Sequence, residues 1–597
     1  MSTAPAAELI LTNGRVTTMS TERREATALA VRGGRFVAVG DEAEVLRHKG
    51  PETVVVDARG RRVIPGLIDS HTHVIRAGLN YDLELRWDGV PSVADALRLL
   101  REQARRTPAP HWVRVVGGWS EFQFAERRMP TLEEINEAAP ETPVFILHLY
   151  AHALLNRAAL RAVGYTRDTP DPPGGRIERD RHGEPTGLLV AKPNAHILYA
   201  TLAMGPKLGP EDQRSSTLRF MRELNRLGVT GAIDAGGGFQ RYPDDYGIIQ
   251  GLAREDALTL RIAYNLFTQR PKQELADFEA WVGMVKPGQG DSFFRCNGAG
   301  EMLVFSAADF EDFMEPRPDL GGEMERDLEA VVELLAANRW PFRVHATYDE
   351  SIGRMLDVFE AVNRRVPFEG LRWFFDHAET ISARSIERVA RLGGGVAIQH
   401  RMAYQGEHFL RRYGAAAARR APPVRELLAA GLPVGGGTDA TRVASYNPWI
   451  GLQWLVSGQT VGQTELNAPG DRLSREEALR LYTAANAWFS GEDGEKGRIE
   501  AGLLGDFAIL SDDYFVVPEG RIQGITSVLT CVGGRVVHAA GEHGGMAPPP
   551  PPAAPDWSPS RHAPGWSPSR GAAAKAMAAA LKRPAGRGSL FGCDCAY

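Results

Sequence analysis

The chain has 597 residues, 43% of them hydrophobic and 24% charged, so it is long enough to bury a large core in more than one domain. Its formal net charge is -5 at pH 7, so the chain as a whole has no positive field that would attract nucleic-acid phosphates or anionic lipid. Its four cysteines are too few for a disulfide scaffold, and no apolar run is long enough to span a bilayer. We therefore expect a soluble cytoplasmic protein without nucleic-acid or membrane partners.

The two ends of the chain carry the pattern of antiparallel β hairpins. Residues 8–17 and 27–39 alternate apolar and polar side chains around Asn13-Gly14 and Gly33-Gly34. Residues 506–510 and 527–537 show the same pattern near the other end. We expect both ends to pair into one small β-sandwich domain, composed of residues 1–62 and 490–540.

The central section alternates short apolar strands with helical stretches, which is typical of a (β/α)8 barrel. Eight strands are predicted, at residues 63–68, 229–234, 260–267, 293–297, 342–345, 371–377, 395–399 and 432–439. The predicted fold class is therefore α/β, with a distorted (β/α)8 barrel over residues 63–489. Because such barrels build their active sites at the carboxyl ends of the strands, polar residues there are the candidates for chemistry.

Two regions do not fit the repeat of the barrel. Residues 75–225 separate the first two strands by far more than one crossover needs, which predicts an inserted subdomain. Residues 541–597 contain a run of five prolines at 548–552 and two copies of Trp-Ser-Pro-Ser-Arg. This composition predicts a mobile proline-rich tail, with one short helix near residues 571–582.

Histidines follow several of the predicted strands. His71 and His73 end a Pro-Gly-Leu-Ile-Asp-Ser-His-Thr-His segment, and alternate residues of an extended chain share a face, so both imidazoles can point into the barrel mouth. His345 and His377 follow later strands, and Asp439 ends the last one in a glycine-rich setting. Imidazole and carboxylate groups are ligands that zinc accepts. These residues therefore predict a site for a divalent metal, most naturally Zn²⁺.

In combination, these motifs resemble the amidohydrolase superfamily, and within it the YtcJ-like branch that includes N-substituted formamide deformylases. The resemblance spans residues 8–540 and implies a metal-dependent hydrolase in which four histidines bind metal and Asp439 both contacts the metal and handles protons. The matching residues are the segment 65–73, His152-Ala-Leu-Leu-Asn156, Gly183-Glu-Pro-Thr-Gly187, Gly228-Val-Thr-Gly231, His345, His377, Gln399, Gly437-Thr-Asp439 and Lys496-Gly-Arg-Ile-Glu500. The four implied histidine ligands are His71, His73, His345 and His377.

The chain departs from the resemblance at the fourth strand. Many superfamily members place a carboxylated lysine there to bridge two metals, whereas residues 294–298 read Phe-Arg-Cys-Asn-Gly. Lys192 could enter from the insertion and carry the carbamate, or Cys296 could bridge as a thiolate. A single-metal site is the third alternative. We expect one or two Zn²⁺ ions per chain, with other divalent metals as alternatives.

The predicted function is hydrolysis of a C–N bond in an amide, formamide or cyclic amide by a metal-activated hydroxide. We expect Asp439 to accept the proton of water and pass it to the departing nitrogen. His152 or His400 would donate to the oxyanion, and Gln399 and Tyr404 would contact substrate. The alternatives are a deaminase, esterase or decarboxylase using the same metal, and a non-catalytic regulatory protein that contains metal.

The expected partner is a small amide-like substrate that is partly apolar. Aromatic side chains in and near the insertion could form its vestibule, or could instead pack the insertion onto the barrel. A homo-oligomer is also compatible with the sequence. The side chains in question are Trp87, Trp119, Phe122, Phe124 and Tyr150.

Overall fold

The computed structural model describes residues 6–192, 195–238, 240–310, 313–314, 317 and 319–562. The predicted short helix near residues 571–582 lies outside the described residues. Among the helices that are described, none combines the length and the apolar character that crossing a bilayer requires.

The described residues form 24 strands, which are β1 (Leu9–Thr12), β2 (Arg15–Thr17), β3 (Glu25–Ala26), β4 (Ala28–Arg32), β5 (Arg35–Gly40), β6 (Val54–Asp57), β7 (Arg62–Pro65), β8 (Leu67–Thr72), β9 (Glu84–Leu85), β10 (Val113–Val115), β11 (Val144–His148), β12 (His152–Leu155), β13 (Gly175–Arg179), β14 (Pro185–Ala191), β15 (Val229–Asp234), β16 (Arg261–Leu266), β17 (Phe294–Ala299), β18 (Phe342–Ala346), β19 (Trp373–His377), β20 (Gly395–Gln399), β21 (Val434–Gly437), β22 (Phe507–Leu510), β23 (Ser527–Val532) and β24 (Arg535–Ala539).

The α-helices of the same residues are α1 (Glu42–Val45), α2 (Val74–Asn80), α3 (Val93–Arg106), α4 (Leu132–Ala138), α5 (Arg157–Val163), α6 (His196–Ala203), α7 (Pro210–Arg226), α8 (Gly247–Arg254), α9 (Glu274–Met284), α10 (Met324–Ala337), α11 (Asp349–Arg365), α12 (Ala383–Arg391), α13 (Met402–Ala418), α14 (Val424–Ala429), α15 (Pro448–Ser457), α16 (Arg475–Leu481), α17 (Asn486–Phe489) and α18 (Pro559–His562).

Eight parallel strands form the central sheet, in the order β8-β15-β16-β17-β18-β19-β20-β21. The last strand returns to the first, because the Asp439 amide donates to the His71 carbonyl at 2.8 Å and Thr72 forms a bridge with Ala440. β18 and β19 are buried along their whole length, as expected of parallel strands covered on both faces. The predicted α/β barrel is confirmed.

The first predicted strand, at residues 63–68, is wrong as a single element. The chain changes sheets at Gly66, so that β7 joins the sheet of the chain ends and β8 opens the barrel. A Cβ at Gly66 would lie 2.1 Å from Thr230 Oγ1, so this crossing point has no space for a side chain. An apolar run of this length does not reveal that its two halves belong to different sheets.

Strands from both ends of the chain share one sheet. Its order is β24-β23-β22-β7-β2-β3, and a second sheet of order β5-β4-β1-β6 packs with it around buried residues that include Leu11, Leu29, Phe507 and Leu529. The composite β-sandwich predicted from the hairpin patterns is therefore present. The domain boundaries given above stay predictions.

The inserted subdomain, between β8 and β15, contains a mixed sheet of order β13-β14-β12-β11-β10-β9. Its core includes Trp87, Trp119 and Phe124, whose side chains are fully buried. The Trp119 ring lies 5.0 Å from that of Trp87 and 5.6 Å from that of Phe124. These three aromatics pack against one another, while the Phe122 ring lies 5.0 Å from that of His408 on α13 and so packs the insertion onto the barrel. A substrate vestibule stays a prediction.

The described part of the proline-rich tail is packed rather than mobile, contrary to the prediction for this part. The Trp557 ring stacks on His111 with centroids 4.4 Å apart, and Arg222 Nη2 donates to the Pro549 carbonyl at 2.9 Å. Ser558 Oγ donates to the Asp82 carbonyl at 2.7 Å. The proline carbonyls of this extended segment therefore accept hydrogen bonds from arginines on α7.

A buried ion pair connects the barrel to the terminal sheet, and its removal should destabilise the fold. Arg261 Nε and Nη2 lie 2.7 and 3.0 Å from the two carboxylate oxygens of Asp506. Asp506→Ala leaves the Arg261 charge buried without its partner, at a cost on the order of 3–5 kcal/mol. We expect the apparent Tm to fall by several degrees in a thermal denaturation scan.

The matched control for this substitution is Glu333→Ala, which removes an exposed partner of Arg365. The side chains of that pair are 44% and 43% exposed, so we expect a change of roughly 0–1 kcal/mol and an almost unchanged Tm. Equal Tm values for the two variants would contradict the structural role assigned to the Arg261–Asp506 pair.

Candidate metal centre

Five strand ends bring imidazoles and carboxylates together at the mouth of the barrel. His71 lies at the end of β8 and His377 at the end of β19, while His345 belongs to β18 and Asp439 follows β21. Glu301 lies two residues beyond β17. All of these side chains are buried, and so is that of His73.

The carboxylate of Glu301 occupies the space between the histidines. Its Oε2 atom lies 3.5 Å from His71 Nε2, 3.5 Å from His345 Nδ1 and 3.4 Å from His377 Nε2. Its Oε1 atom lies 3.7 Å from His73 Nε2. One carboxylate therefore faces the histidines from all three contributing strand ends.

Asp439 provides a second carboxylate beside the first two histidines. Its Oδ1 atom lies 3.2 Å from His73 Nε2 and 3.5 Å from His71 Nε2. Three overlapping groups of ligand atoms result, each with all atoms within 4.8 Å of one another. They are His71 with His377 and Asp439, His71 with His73 and Glu301, and Glu301 with His345 and His377. This arrangement can hold one metal ion or two.

Unsatisfied polar atoms indicate that these residues fit a metal ion. His71 Nε2, Glu301 Oε2 and Asp439 Oδ2 are buried and have no hydrogen-bond partner. Burial of such atoms without a partner is costly, and a divalent cation would satisfy all three. A set of imidazole nitrogens and carboxylate oxygens is also the ligand chemistry that zinc takes.

Polar groups lie behind three of the histidines. His71 Nδ1 lies at hydrogen-bond distance from Asp376 Oδ1, 2.9 Å away, whereas His345 Nε2 lies 3.6 Å from Asp309 Oδ1, beyond hydrogen-bond distance. His73 Nδ1 hydrogen-bonds to the carbonyl of Gly236. In each case the other ring nitrogen faces Glu301 or Asp439. Acceptors in this position fix the ring orientation that metal binding requires.

The cluster keeps both carboxylates ionised. Burial alone would raise the pKa of Glu301, but the nearby imidazoles of His71, His345 and His377 hold that pKa well below its ordinary value. Burial likewise opposes ionisation of Asp439, and the neighbouring His71 and His73 imidazoles hold its pKa well below normal. Two carboxylates that are charged at neutral pH therefore share a buried space, which attracts a cation.

The backbone is held in an unusual conformation at two of the candidate ligands. His377 has φ of 78° and Asp439 has φ of 54°, which is the left-handed region that residues with a Cβ seldom adopt. Asp69 holds the Asp439 segment against β8, because its Oδ2 accepts from Thr438 Oγ1 at 2.6 Å and its Oδ1 accepts from the His71 amide at 3.0 Å. These bonds fix the position of Asp439 relative to His71.

The two predicted bridging residues lie elsewhere. Lys192 is exposed just past β14, which does not suit a ligand buried among histidines. Cys296 is buried on β17 in the hydrophobic core, and burial raises the pKa of its thiol to about 12, so it is protonated at neutral pH. Glu301 lies among the four histidines instead, and neither Lys192 nor Cys296 belongs to that group of ligand atoms.

His152, predicted to contact substrate, belongs to a separate group. Its ring stacks on that of His148 with centroids 6.1 Å apart. His148 Nε2 lies 2.8 Å from Glu121 Oε2, and His408 Nε2 lies 3.0 Å from Glu121 Oε1. These contacts join the insertion to α13.

The other predicted substrate contacts are buried around the end of β20. Gln399 Nε2 donates to the Ala397 carbonyl at 2.7 Å. Burial lowers the pKa of His400 to about 4, which keeps this imidazole neutral. Tyr404 is buried on α13, with its ring 6.0 Å from that of His400. A role in substrate binding stays a prediction for Gln399, His400 and Tyr404.

Comparison with known proteins places the chain in a family. A model described as the amidohydrolase family matches residues 54–538, which is most of the sequence. The chain belongs to the amidohydrolase family. This membership confirms the resemblance and the prediction of a metal-dependent hydrolase.

Two amidohydrolase relatives are similar over nearly their whole length. The N-substituted formamide deformylase of Arthrobacter pascens is 27% identical over 550 residues, covering 88% of this chain and 97% of the relative. The putative amidohydrolase YtcJ of Bacillus subtilis (strain 168) is 26% identical over 535 residues, covering 88% and 98%. Both relatives lie in the branch that the motifs indicated.

Two crystal structures of metal-dependent hydrolases share the amidohydrolase fold. An uncharacterized metal-dependent hydrolase from Pyrococcus horikoshii OT3 aligns with a TM-score of 0.63 at 20% identity, covering 86% of this chain and 99% of that one. Atrazine chlorohydrolase TrzN from Arthrobacter aurescens TC1, complexed with zinc, aligns with a TM-score of 0.50 at 16% identity, covering 88% and 94%. At these identities the likeness shows the fold.

The role of Glu301 can be tested by measuring bound metal. Glu301→Ala removes the carboxylate that faces all four histidines, so we expect the purified variant to contain less metal per chain than the wild-type protein. Lys192→Ala is the matched control and should keep the wild-type content, since Lys192 is exposed. Elemental analysis gives both values. Loss of metal in Lys192→Ala, with full content in Glu301→Ala, would restore the carbamate hypothesis.

Proposed function

We propose that this amidohydrolase cleaves the C–N bond of a small amide or formamide, using Zn²⁺ bound by His71, His73, His345, His377, Glu301 and Asp439. The observation that carries the proposal is the Glu301 carboxylate, which lies 3.4–3.7 Å from nitrogens of all four histidines. The 27% identity to a protein named N-substituted formamide deformylase supports the amide class of substrate. It does not by itself identify the substrate.

The reaction needs an activated water molecule and a protonated leaving group. A divalent ion supplies Lewis acidity when bound, which lowers the pKa of water from 15.7 to about 7 and polarises a carbonyl. Amines leave poorly unless they are protonated. The reaction therefore needs a group that takes a proton from the attacking water and gives it to the leaving nitrogen.

Asp439 is the group best placed to carry that proton. Its carboxylate is ionised, and its Oδ1 lies 3.2 Å from His73 Nε2 at the edge of the cluster. Arg401 Nη1 lies 3.9 Å from Asp439 Oδ2, so a buried cation adjoins this carboxylate. Asp439 would accept the proton of water and deliver it to the departing nitrogen.

The remaining parts of the proposal concern partners and location. We propose a small-molecule substrate and a cytoplasmic enzyme without nucleic-acid or membrane partners. Two buried free cysteines, Cys296 and Cys531, support a reducing compartment.

A substrate panel tests the reaction class. The protein as purified would be analysed for metal and assayed with N-substituted formamides, N-acyl amino acids, lactams, aminopurines and esters. Release of an amine from a formamide or amide is the expected result. Turnover confined to esters or to deamination, in protein that contains metal, would contradict the proposed C–N bond cleavage of an amide.

Asp439→Asn should separate metal binding from chemistry. The amide side chain keeps the size of the residue but cannot accept the proton of water, so we expect kcat to fall on the order of 10²-fold or more. Metal content should stay near that of the wild-type protein, because four histidines and Glu301 remain. Asp168→Asn, at an exposed position of the insertion, is the control and should leave kcat unchanged. Wild-type kcat in Asp439→Asn would remove Asp439 from the proton-transfer role.

A further inference from the structure

A cavity of about 320 Å³ lies between the insertion and the barrel. Three arginines from separate segments line it: Arg76 from α2, Arg114 from β10 and Arg442 from the loop after β21. Tyr199 of α6 and the carboxylate of Glu84 complete its inner wall. The volume is within the range of small-molecule sites, at the lower end of about 300–1,000 Å³.

Residues that follow two of the candidate ligands line the cavity. Arg76, in the first turn of α2, follows His73 by three positions. Arg442 follows Asp439 by three positions. The Tyr199 hydroxyl is close enough to Asp439 for the carboxylate charge to contribute to raising the pKa of the phenol, after the larger effect of burial.

Positive charge exceeds negative charge inside the cavity. Glu84 is the buried carboxylate that faces the three arginines, and it also lies 3.4 Å from Arg86 Nη1. Burial raises the pKa of Glu84 in spite of these cations. Lys207, Asp244 and Asp245 lie at the exposed rim.

Two guanidinium nitrogens beside the cavity lack a protein acceptor, namely the buried Nε atoms of Arg76 and Arg114 in the described structure. Arg114 Nη2, in contrast, donates to the Pro206 carbonyl. Arg442 lies with its Cζ atom 4.5 Å from the centre of the Tyr199 ring. Burial together with the neighbouring Arg76 charge lowers the pKa of Arg442 to about 10, so this cation is destabilised where it stands. A bound anion would offset the repulsion between these cations.

An aromatic wall connects this cavity to the histidines. The Tyr199 and Tyr150 rings lie 6.1 Å apart, Tyr150 and Phe310 lie 6.4 Å apart, and the Phe310 ring lies 5.5 Å from that of His345. A ligand with its anion among the arginines would therefore place apolar atoms along these rings, and its next polar group near the candidate metal centre.

We propose that the cavity binds the carboxylate of the substrate, so that the enzyme acts on amides carrying a carboxylate separated from the C–N bond by an apolar group. This inference rests on the proposed function for the reaction, but the binding of a carboxylate is independent of turnover. Arginine suits the role because its planar guanidinium can form two parallel hydrogen bonds to a carboxylate. The carboxylate can belong to the amine half, as in 4-(formamidomethyl)benzoate, or to the acyl half, as in a succinyl or glutaryl anilide.

Kinetics with paired substrates test this specificity. 4-(Formamidomethyl)benzoate would be compared with its carboxamide, and glutaranilic acid with its terminal amide. In at least one of these pairs we expect kcat/KM for the carboxylate to exceed that for the neutral partner by about 10²-fold or more. Arg442→Met should abolish this preference by raising KM for the carboxylate. Equal kcat/KM values within both wild-type pairs would overturn the inference.

A binding measurement separates this inference from the proposed function. Calorimetric titration of the metal-containing enzyme with 3-phenylpropionate, and with its neutral amide, should show binding of the carboxylate alone. Arg442→Met should weaken that binding by at least about 10-fold at unchanged metal content, whereas Arg161→Met, at an exposed position, should not change it. Binding that depends on Arg442 without any amide turnover would contradict only the proposed function.

Carboxylate binding that persists in Arg442→Met would mean that the anion binds the metal ion, and would overturn the inference. Arg76→Gln provides a second variant if Arg442→Met does not fold, because Arg76 retains partial exposure and the glutamine is polar. The same loss of 3-phenylpropionate affinity is expected, and its absence would also overturn the inference.

Discussion

The burial of Glu301 among four imidazoles is the constraint on which the rest of the site depends. A carboxylate removed from water is strongly destabilised unless cations or hydrogen-bond donors surround it. Here the protein supplies His71, His345 and His377 within 3.5 Å of one carboxylate oxygen. Atoms of the cluster still lack partners, and a divalent cation is the species that would satisfy them at once.

The barrel provides the geometry, and the groups behind the ligands provide the rigidity. Parallel strands deliver His71, His345 and His377 to the same rim, while loops beyond β17 and β21 deliver the two carboxylates. Asp376 and the Gly236 carbonyl hydrogen-bond to His71 and His73 from behind. The arginines of the neighbouring cavity would orient an anionic substrate before its reactive bond reaches the metal centre, as proposed above.

Much of this architecture could be predicted from the sequence. The period of apolar and polar residues indicates the strands, and the residues at the strand ends indicate the site. The barrel, the paired chain ends and the insertion follow from alternation and spacing, and His71, His73, His345, His377 and Asp439 each follow an apolar run. These five residues lie together at the barrel mouth in the structure. The expected role of Asp439 in proton transfer came from the resemblance to the amidohydrolases, because residue spacing alone does not indicate it.

The errors have physical causes. The sequence does not single out Glu301, because it lies two residues past β17 in a Gly-Ala-Gly-Glu segment, whereas the bridging lysine that the resemblance implies would lie within the strand. The one signal for Glu301 is a carboxylate directly after the fourth strand of the barrel. The position of Lys192 depends on how the insertion folds against the barrel, and no local pattern encodes that contact. The packing of the proline-rich segment on α7 likewise depends on arginines more than 300 positions away, such as Arg222.

The most direct test of the central claim is anomalous X-ray diffraction from crystals of the purified protein, recorded above and below the zinc absorption edge. The account predicts an anomalous peak at the barrel mouth, about 2.0–2.2 Å from ligand atoms of the histidines and of Glu301. A peak only at Glu121, His148 and His408, or no metal at the barrel mouth in active enzyme, would contradict it.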